Sequence, residues 1–527
     1  MNILERIRQN SLAHPDRPAV VSGDEKLTWG ELEQLSTRLA AHLEQACGDN
    51  RAPVAVYGHK SPLMLVCFLA CVRSGRAYCP IDISVPESRA QLILDQMDSP
   101  VVLATEELSC DCKEKELWSL EKLKSLLSQK LPPLPEAKAV SGEDTYYIIF
   151  TSGSTGTPKG VQITASCLNH YLDWSVTLGT SPEQKQGQIF LNQAPFSFDL
   201  SVMDLYTCLA CGGTLFCLSK TAQADYRLLL NRLGASGAQV WVSTPSFADI
   251  CLTDPAFSQK LLPHLELFLF CGETLTNRTV QKLQSRFPGA KIMNTYGPTE
   301  STVAVTQVLV DEALNSAVSP LPVGRPKLGT RLEIWREDGS PANPGEKGEI
   351  IILGDTVSSG YYKRPDLTHK AFFTCEREGK SLRGYHTGDE GYLKEGMLYY
   401  GGRLDLQIKL HGYRIELGDI ESNILRLPGI SRAAVIPRMS AGKVKSLAAF
   451  AVCQEPVADS FAKSQELKKR LKDYLPEYMI PKKFIFLEEL PVTANGKADR
   501  QTLGNMLQPS GNPANDGSGG QALGGKG

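Results

Sequence analysis

The segment Thr151-Ser-Gly-Ser-Thr-Gly-Thr-Pro-Lys-Gly160 sets hydroxyls, glycines and one lysine directly after the apolar run 146–150. Residues of these types at a strand's end make an anion-binding loop. Glycines let backbone N–H groups approach a phosphate, and Lys159 adds a cation. The loop is not a Walker A, because the G-x-x-x-x-G-K-[ST] spacing fails and Gly160 follows the lysine. A flexible Ser/Gly surface loop has a similar composition, but not the preceding strand or the Pro-Lys-Gly ending. Thr151, Ser152, Gly153, Ser154, Thr155, Gly156 and Lys159 are therefore predicted to receive the phosphates of a nucleotide. A zinc cage is not indicated. The 14 cysteines are scattered, and Cys208-Leu-Ala-Cys211 has neither a second pair at zinc spacing nor a partner H-x₃₋₅-H.

A loop of this kind needs a rigid sheet behind it. Short apolar runs at 54–57, 101–104, 146–150, 239–243, 267–270 and 291–294 read as strands, with amphipathic stretches between several of them. That alternation predicts an α/β fold with largely parallel sheets. Residues 27–35 read as a strand edge entering a helix, with Thr28 as its cap and Glu31 at capping-box spacing. Around 348–353 and 398–402 the pattern becomes more β-like. Glycines meet charges at Gly401-Gly-Arg-Leu-Asp405, which marks a boundary. Beyond it lies a small α+β unit, with strands at 408–410, 431–436 and 447–452 and helices at 419–426 and 464–475. The predicted organisation is a large N-terminal domain of layered sheets and helices (1–402), a hinge (403–406), a small mobile domain (407–507) and a disordered Gly/Asn/Ser-rich tail (508–527).

The bulk numbers fit this plan. A chain of 527 residues, 42% apolar and 22% charged, is an ordinary globular protein too long for one simple core. A net charge of −2 speaks against nucleic acid or a membrane surface as partner. No secretory apolar region opens the chain, and no run approaches about 18 apolar residues. The expectation is a cytoplasmic monomer.

Six ordered segments, spanning about residues 5–505, resemble the adenylate-forming superfamily of acyl-CoA ligases, luciferases and peptide-synthetase adenylation domains. They are the loop 151–160, Asn294-Thr-Tyr-Gly-Pro-Thr-Glu300, Tyr385-His-Thr-Gly-Asp389, Gly402-Arg-Leu-Asp405, Lys409-Leu-His-Gly-Tyr-Arg-Ile-Glu416 and Pro491-Val-Thr-Ala-Asn-Gly-Lys497. The resemblance implies ATP and Mg²⁺ as cofactors. It implies that Asn294, Thr295, Tyr296 and Gly297 hold the adenine and that Asp389 binds the ribose hydroxyls. Thr299 and Glu300 then lie at the phosphates, with Glu300 as the Mg²⁺ carboxylate. Arg403 flanks the nucleotide, Asp405 is the pivot between domains, and Lys497 is the principal cation of adenylation. Taken singly, each residue has a plainer reading. Asp389 would be a turn aspartate after Gly388, Tyr296 a core aromatic and Lys497 a solvated charge.

The acid being activated is narrowed by Asn192-Gln-Ala-Pro-Phe-Ser-Phe-Asp-Leu-Ser-Val-Met-Asp204. In amino-acid-activating members the aspartate at position 199 pairs with the substrate ammonium, since an unpaired buried charge is costly. A capping aspartate is the plain alternative. The resemblance carries the pocket to Asp199, Leu200, Met203, Cys271, Thr295 and Val303, a narrow site for a small side chain. These segments are most similar to the branch that activates D-alanine and passes it to the phosphopantetheine thiol of a small carrier protein, commonly for teichoic acid. Composition and spacing do not give the handedness. Another small amino acid (L-alanine, glycine or serine), an acyl-CoA ligase and an inactive sensor remain as alternatives.

Overall fold

The structure, a computed structural model, describes residues 1–135, 138–153, 157–404, 406–410, 412–440, 443–492 and 498–507. Two large sheets dominate the first 403 residues. One has nine strands, in the order Arg325–Pro326, Thr306–Leu309, Lys291–Tyr296, Leu267–Phe270, Val240–Ser243, Ile189–Asn192, Thr214–Cys217, Pro18–Ser22, Glu25–Thr28. Its central pairs are parallel. The other has seven strands and includes Thr145–Thr151, Lys159–Thr164 and Gly360–Tyr361 along one flank.

Helices fill the space between these sheets. Pro62–Arg73 and Leu200–Ala210 are buried around most of their circumference, as expected of helices that are apolar on all sides. Their side chains join residues of both sheets in one core, including Val54 and Ile149 from one and Val242 and Leu269 from the other. The predicted cap is present: Thr28 accepts from the Glu31 N–H, and Glu31 accepts in return from the Thr28 N–H.

A third, antiparallel sheet carries the β-rich stretch, from Thr330–Trp335 through Lys380–Lys394 to Met397–Arg403. After it, residues 407–507 build a core of their own. Helices Leu417–Leu425 and Ser460–Leu471 pack Ile420, Ile424 and Leu467 on Val435, Leu447 and Ala449 of a three-stranded sheet. Sequence periodicity placed the second helix at 464–475. It starts earlier because Asp459 caps the N–H groups of Phe461 and Ala462, and it ends at Leu471.

Because this second core is separate, Ile424→Ala should act locally. The expected cost is about 2–5 kcal/mol for a buried aliphatic truncation. Amide exchange should quicken within 407–507 and stay unchanged in the strand Val240–Ser243.

Candidate active site

Four parallel strands of the nine-stranded sheet end at one edge: Ile189–Asn192, Val240–Ser243, Leu267–Phe270 and Lys291–Tyr296. The segments that leave their carboxyl ends carry Asp199, Thr244, Cys271 and Thr299. Crevices outside the carboxyl ends of parallel strands are where open α/β sheets bind ligands. The phosphate loop comes from the other sheet, as the connection between Thr145–Thr151 and Lys159–Thr164.

Asp199 occupies the N-cap position of helix Leu200–Ala210, yet its side chain makes no cap hydrogen bond. It accepts instead from the Thr299 hydroxyl, at 2.7 Å. Burial pushes its carboxyl up, against the pull of that hydrogen bond and of Lys409. A small cavity of about 40 Å³ lies against Asp199, Leu200, Cys271 and Val303, with Thr299, Asp389 and Arg414 also in its wall. Cys271 Sγ donates to the Val303 carbonyl at 3.6 Å, and burial pushes its thiol up. Met203 lies one turn further along the helix, fully buried in the core, and is not part of this cavity wall.

A larger cavity of about 480 Å³ shares Gly272, Gly297, Arg403 and Lys409 with the small one. Asn294, Thr295 and Tyr296 also line it. Asn294 already donates its amide to the Pro322 carbonyl at 2.9 Å, and Thr295 donates to the Phe270 carbonyl at 2.8 Å. The Tyr296 hydroxyl donates to Asp389 Oδ2 at 2.6 Å, while Arg403 donates to Asp389 Oδ1 at 2.9 Å. Asp389 is thus no turn residue. It sits inside strand Lys380–Lys394, buried and registered opposite Arg403.

Glu300, in the 3₁₀ turn Thr299–Ser301, is the most enclosed charge of the site. Its Oε1 accepts from the Tyr361 hydroxyl at 2.7 Å and lies 3.7 Å from Lys159 Nζ. Its Oε2 accepts from Arg414 at 2.6 Å. Burial opposes the charge, but Arg414, Lys159 and the Tyr361 hydroxyl outweigh it and hold the carboxyl at about 2. Lys159 opens strand Lys159–Thr164 and stands over the Tyr361 ring, 4.9 Å from its centroid. Ser152 donates to the Arg414 carbonyl at 2.9 Å. Thr151 Oγ1 reaches the Lys159 carbonyl at 3.5 Å. Gly153 is required sterically, since a Cβ there would lie 2.2 Å from the Thr157 carbonyl oxygen. Ser154, Thr155, Gly156, Asp405 and Lys497 lie outside the described residues.

Several contributors carry no sequence signal of their own. Glu273 accepts from the Gly412 N–H at 2.6 Å and from the Ser246 N–H at 3.1 Å. Lys60 is fully buried and donates to the carbonyls of Asn192 and Gln193 at 3.1 and 2.8 Å, fixing the segment that leads to Asp199. Burial brings its amine down to about 8. Thr302 and Val303 both have left-handed backbone, φ 58° and 68°. For a β-branched residue this costs on the order of 1–3 kcal/mol, and such strain persists where surrounding structure imposes it. Val303 was named for the pocket by the resemblance, Thr302 lies just beyond the segment 294–300 and Glu273 just beyond Cys271, whereas Lys60 lies in no segment singled out for chemistry.

Fold and site define a nucleotide-dependent activating enzyme, and the comparisons agree. The sequence matches the AMP-binding enzyme family over residues 7–362 and that family's C-terminal domain over 419–497. A D-alanine–D-alanyl carrier protein ligase of Bacillus licheniformis is 46% identical, over 95% of this chain and 99% of that protein. One of Bacillus cereus is 45% identical over the same shares. Among solved structures, holo-PA1221, a protein containing adenylation and PCP domains, aligns with a TM-score of 0.80 at 26% identity, covering 96% of this chain and 84% of that one. The Vibrio cholerae adenylation domain AlmE, at 24% identity over 96% of this chain and 97% of that one, shares the fold with a TM-score of 0.80. The chain belongs to the AMP-binding enzyme family and, within it, to the D-alanine–D-alanyl carrier protein ligases. Among the described residues, no helix is long and apolar enough to cross a membrane.

Tyr296→Phe would leave Asp389 Oδ2 without its buried donor. The expected cost is about 1–3 kcal/mol in denaturant unfolding, together with weaker AMP binding by calorimetry. Unchanged stability and AMP affinity would remove Tyr296 from the site.

Proposed function

We propose that this ligase activates D-alanine with ATP and passes the D-alanyl group to the phosphopantetheine thiol of a carrier protein. In the first step the D-alanine carboxylate attacks the α-phosphorus, an acyl-phosphate bond forms and pyrophosphate leaves. In the second step the thiol sulfur attacks the acyl carbon and AMP leaves. The observation that carries this reading is Asp199: a half-buried carboxylate, free of any capping role, facing a small cavity walled by Leu200, Cys271 and Val303. An ammonium group supplies the charge partner that such a carboxylate needs. A cavity this small favours a small side chain, although one methyl group separates alanine from glycine by only about 1–3 kcal/mol.

The other roles rest on the family resemblance, with which the placement of the described residues is consistent. Tyr296 and Asn294 line the larger cavity where the adenine belongs, and Asp389 accepts from the two ribose hydroxyls. Thr151, Ser152, Gly153 and Lys159 receive phosphates. Thr299 spans the two halves of the site, because its hydroxyl holds Asp199 beside the Glu300 cluster. Lys497 is assigned to the adenylation step and Asp405 to the pivot between the two units. Mg²⁺ belongs with ATP, as counter-charge to the triphosphate.

ATP–pyrophosphate exchange measured with D-alanine, L-alanine, glycine, serine and acetate tests the reading. D-alanine should give the highest kcat/KM and acetate none. Burial raises the Asp199 carboxyl, so the charge that binds the ammonium is present at higher pH and lost on acidification. The acid limb of kcat/KM should therefore lie above the ordinary aspartate range, and Asp199→Asn should abolish exchange. A preference for L-alanine, or an active Asp199→Asn enzyme, would overturn the assignment.

A further inference from the structure

Glu300 is the carboxylate that the triphosphate's metal would need, and here neither of its oxygens is open. Arg414 takes Oε2, while Tyr361 and Lys159 cover Oε1. Mg²⁺ binds carboxylate oxygen at about 2.0–2.1 Å in strict octahedral geometry. Two cationic side chains within reach of the same carboxylate repel it. Among the described residues, no group of three or more His, Cys, Asp or Glu side chains could hold a metal ion instead. The residues in this arrangement do not fit Mg²⁺.

Arg414 belongs to the hairpin of Gln407–Leu410 and Tyr413–Glu416, which is built into the second unit. Its guanidinium reaches Glu300 only because the hairpin is seated on the first unit, through the Gly412 N–H on Glu273 and the Arg414 carbonyl on Ser152. Seating also brings Lys443 onto Asp249, at 2.7 Å. We propose that Arg414 and the divalent cation are alternative partners of Glu300, so that the hairpin seats only on a metal-free site. Arg414 is then a positioning residue. It replaces the charge of the departing metal and keeps Glu300 ionised and in place while the second step proceeds. The coupling is reciprocal: whatever factor seating costs the metal, the metal costs seating. This rests on the adenylation reading above.

The test uses the full chain with α,β-methylene-ATP and no amino acid, so no adenylate forms and the outcome does not depend on which acid is activated. Hydrogen exchange of the hairpin amides, Gly412 above all, is followed first in EDTA and then with Mg²⁺. Mg²⁺ should speed that exchange. Arg414→Ala should bind the Mg²⁺ analogue about tenfold more tightly, within the range usual for coupled sites, and the gain should vanish in EDTA. Lys443→Ala, which loosens seating from outside the Glu300 cluster, should shift affinity in the same direction by a smaller factor. It keeps the idea testable if Arg414→Ala does not fold. Hairpin exchange that ignores Mg²⁺, or analogue affinity unchanged in the variants, would overturn the proposal. A wrong amino-acid assignment would show only in the exchange panel described above.

Discussion

In this structure the fully buried carboxylate of Glu300 is held by a guanidinium that reaches it from another part of the chain. Removing a charge from water costs several kcal/mol unless an opposite charge and further hydrogen bonds replace the lost solvent. Arg414, Lys159 and Tyr361 supply them, and they come from three separate elements. The consequence is geometric. In this arrangement the hairpin 407–416 lies across the mouth of the site, and the smaller unit follows it. The contacts Arg89–Asp419 and Lys443–Asp249 are then set between the two units.

The larger unit explains why the site can be shared by two reactions. Its anchors sit along the carboxyl edge of the nine-stranded sheet and on the antiparallel sheet, which share a core around Tyr296, Val305, Ile350 and Tyr385, so their mutual geometry is rigid. Asp199 and Thr299 hold one end and Asp389, Tyr296 and Arg403 the other. In the proposed cycle, what changes between reactions is the face the smaller unit presents. Its own core, around Ile420, Ile424 and Leu467, lets it move as a body without loss of internal packing.

Much of this was legible in the sequence. The phosphate loop, the Thr28–Glu31 capping box and the strands that position the site follow from local rules of spacing and period. Asp199 was legible as a residue, and its role as an ammonium partner came from the resemblance alone. A capping aspartate and an ammonium partner look alike in sequence, and the absent cap bond speaks against the first. Tyr361, Glu273 and Lys60 were not legible. Each reaches a partner more than about sixty residues away along the chain, and pairing over such distances leaves no local pattern. Val303 was named for the pocket by the resemblance, but its left-handed backbone is one that its residue type argues against. Helix 464–475 was misplaced by a turn because Asp459 caps earlier than the apolar period begins.

The central claim is that the seated hairpin serves transfer and not activation. Gly412 tests it most directly. Its φ is +84°, and a Cβ there would lie 2.3 Å from Thr244 Cγ2, so Gly412→Ala obstructs seating without touching any group assigned to ATP or the amino acid. The measurement is single-turnover kinetics of the two half-reactions: pyrophosphate release with D-alanine, and transfer from preformed D-alanyl-adenylate to the carrier thiol. Adenylation should persist while transfer falls by about a hundredfold, the scale on which small misplacements act in catalysis. Equal loss of both half-reactions, or transfer at the wild-type rate, would contradict the claim.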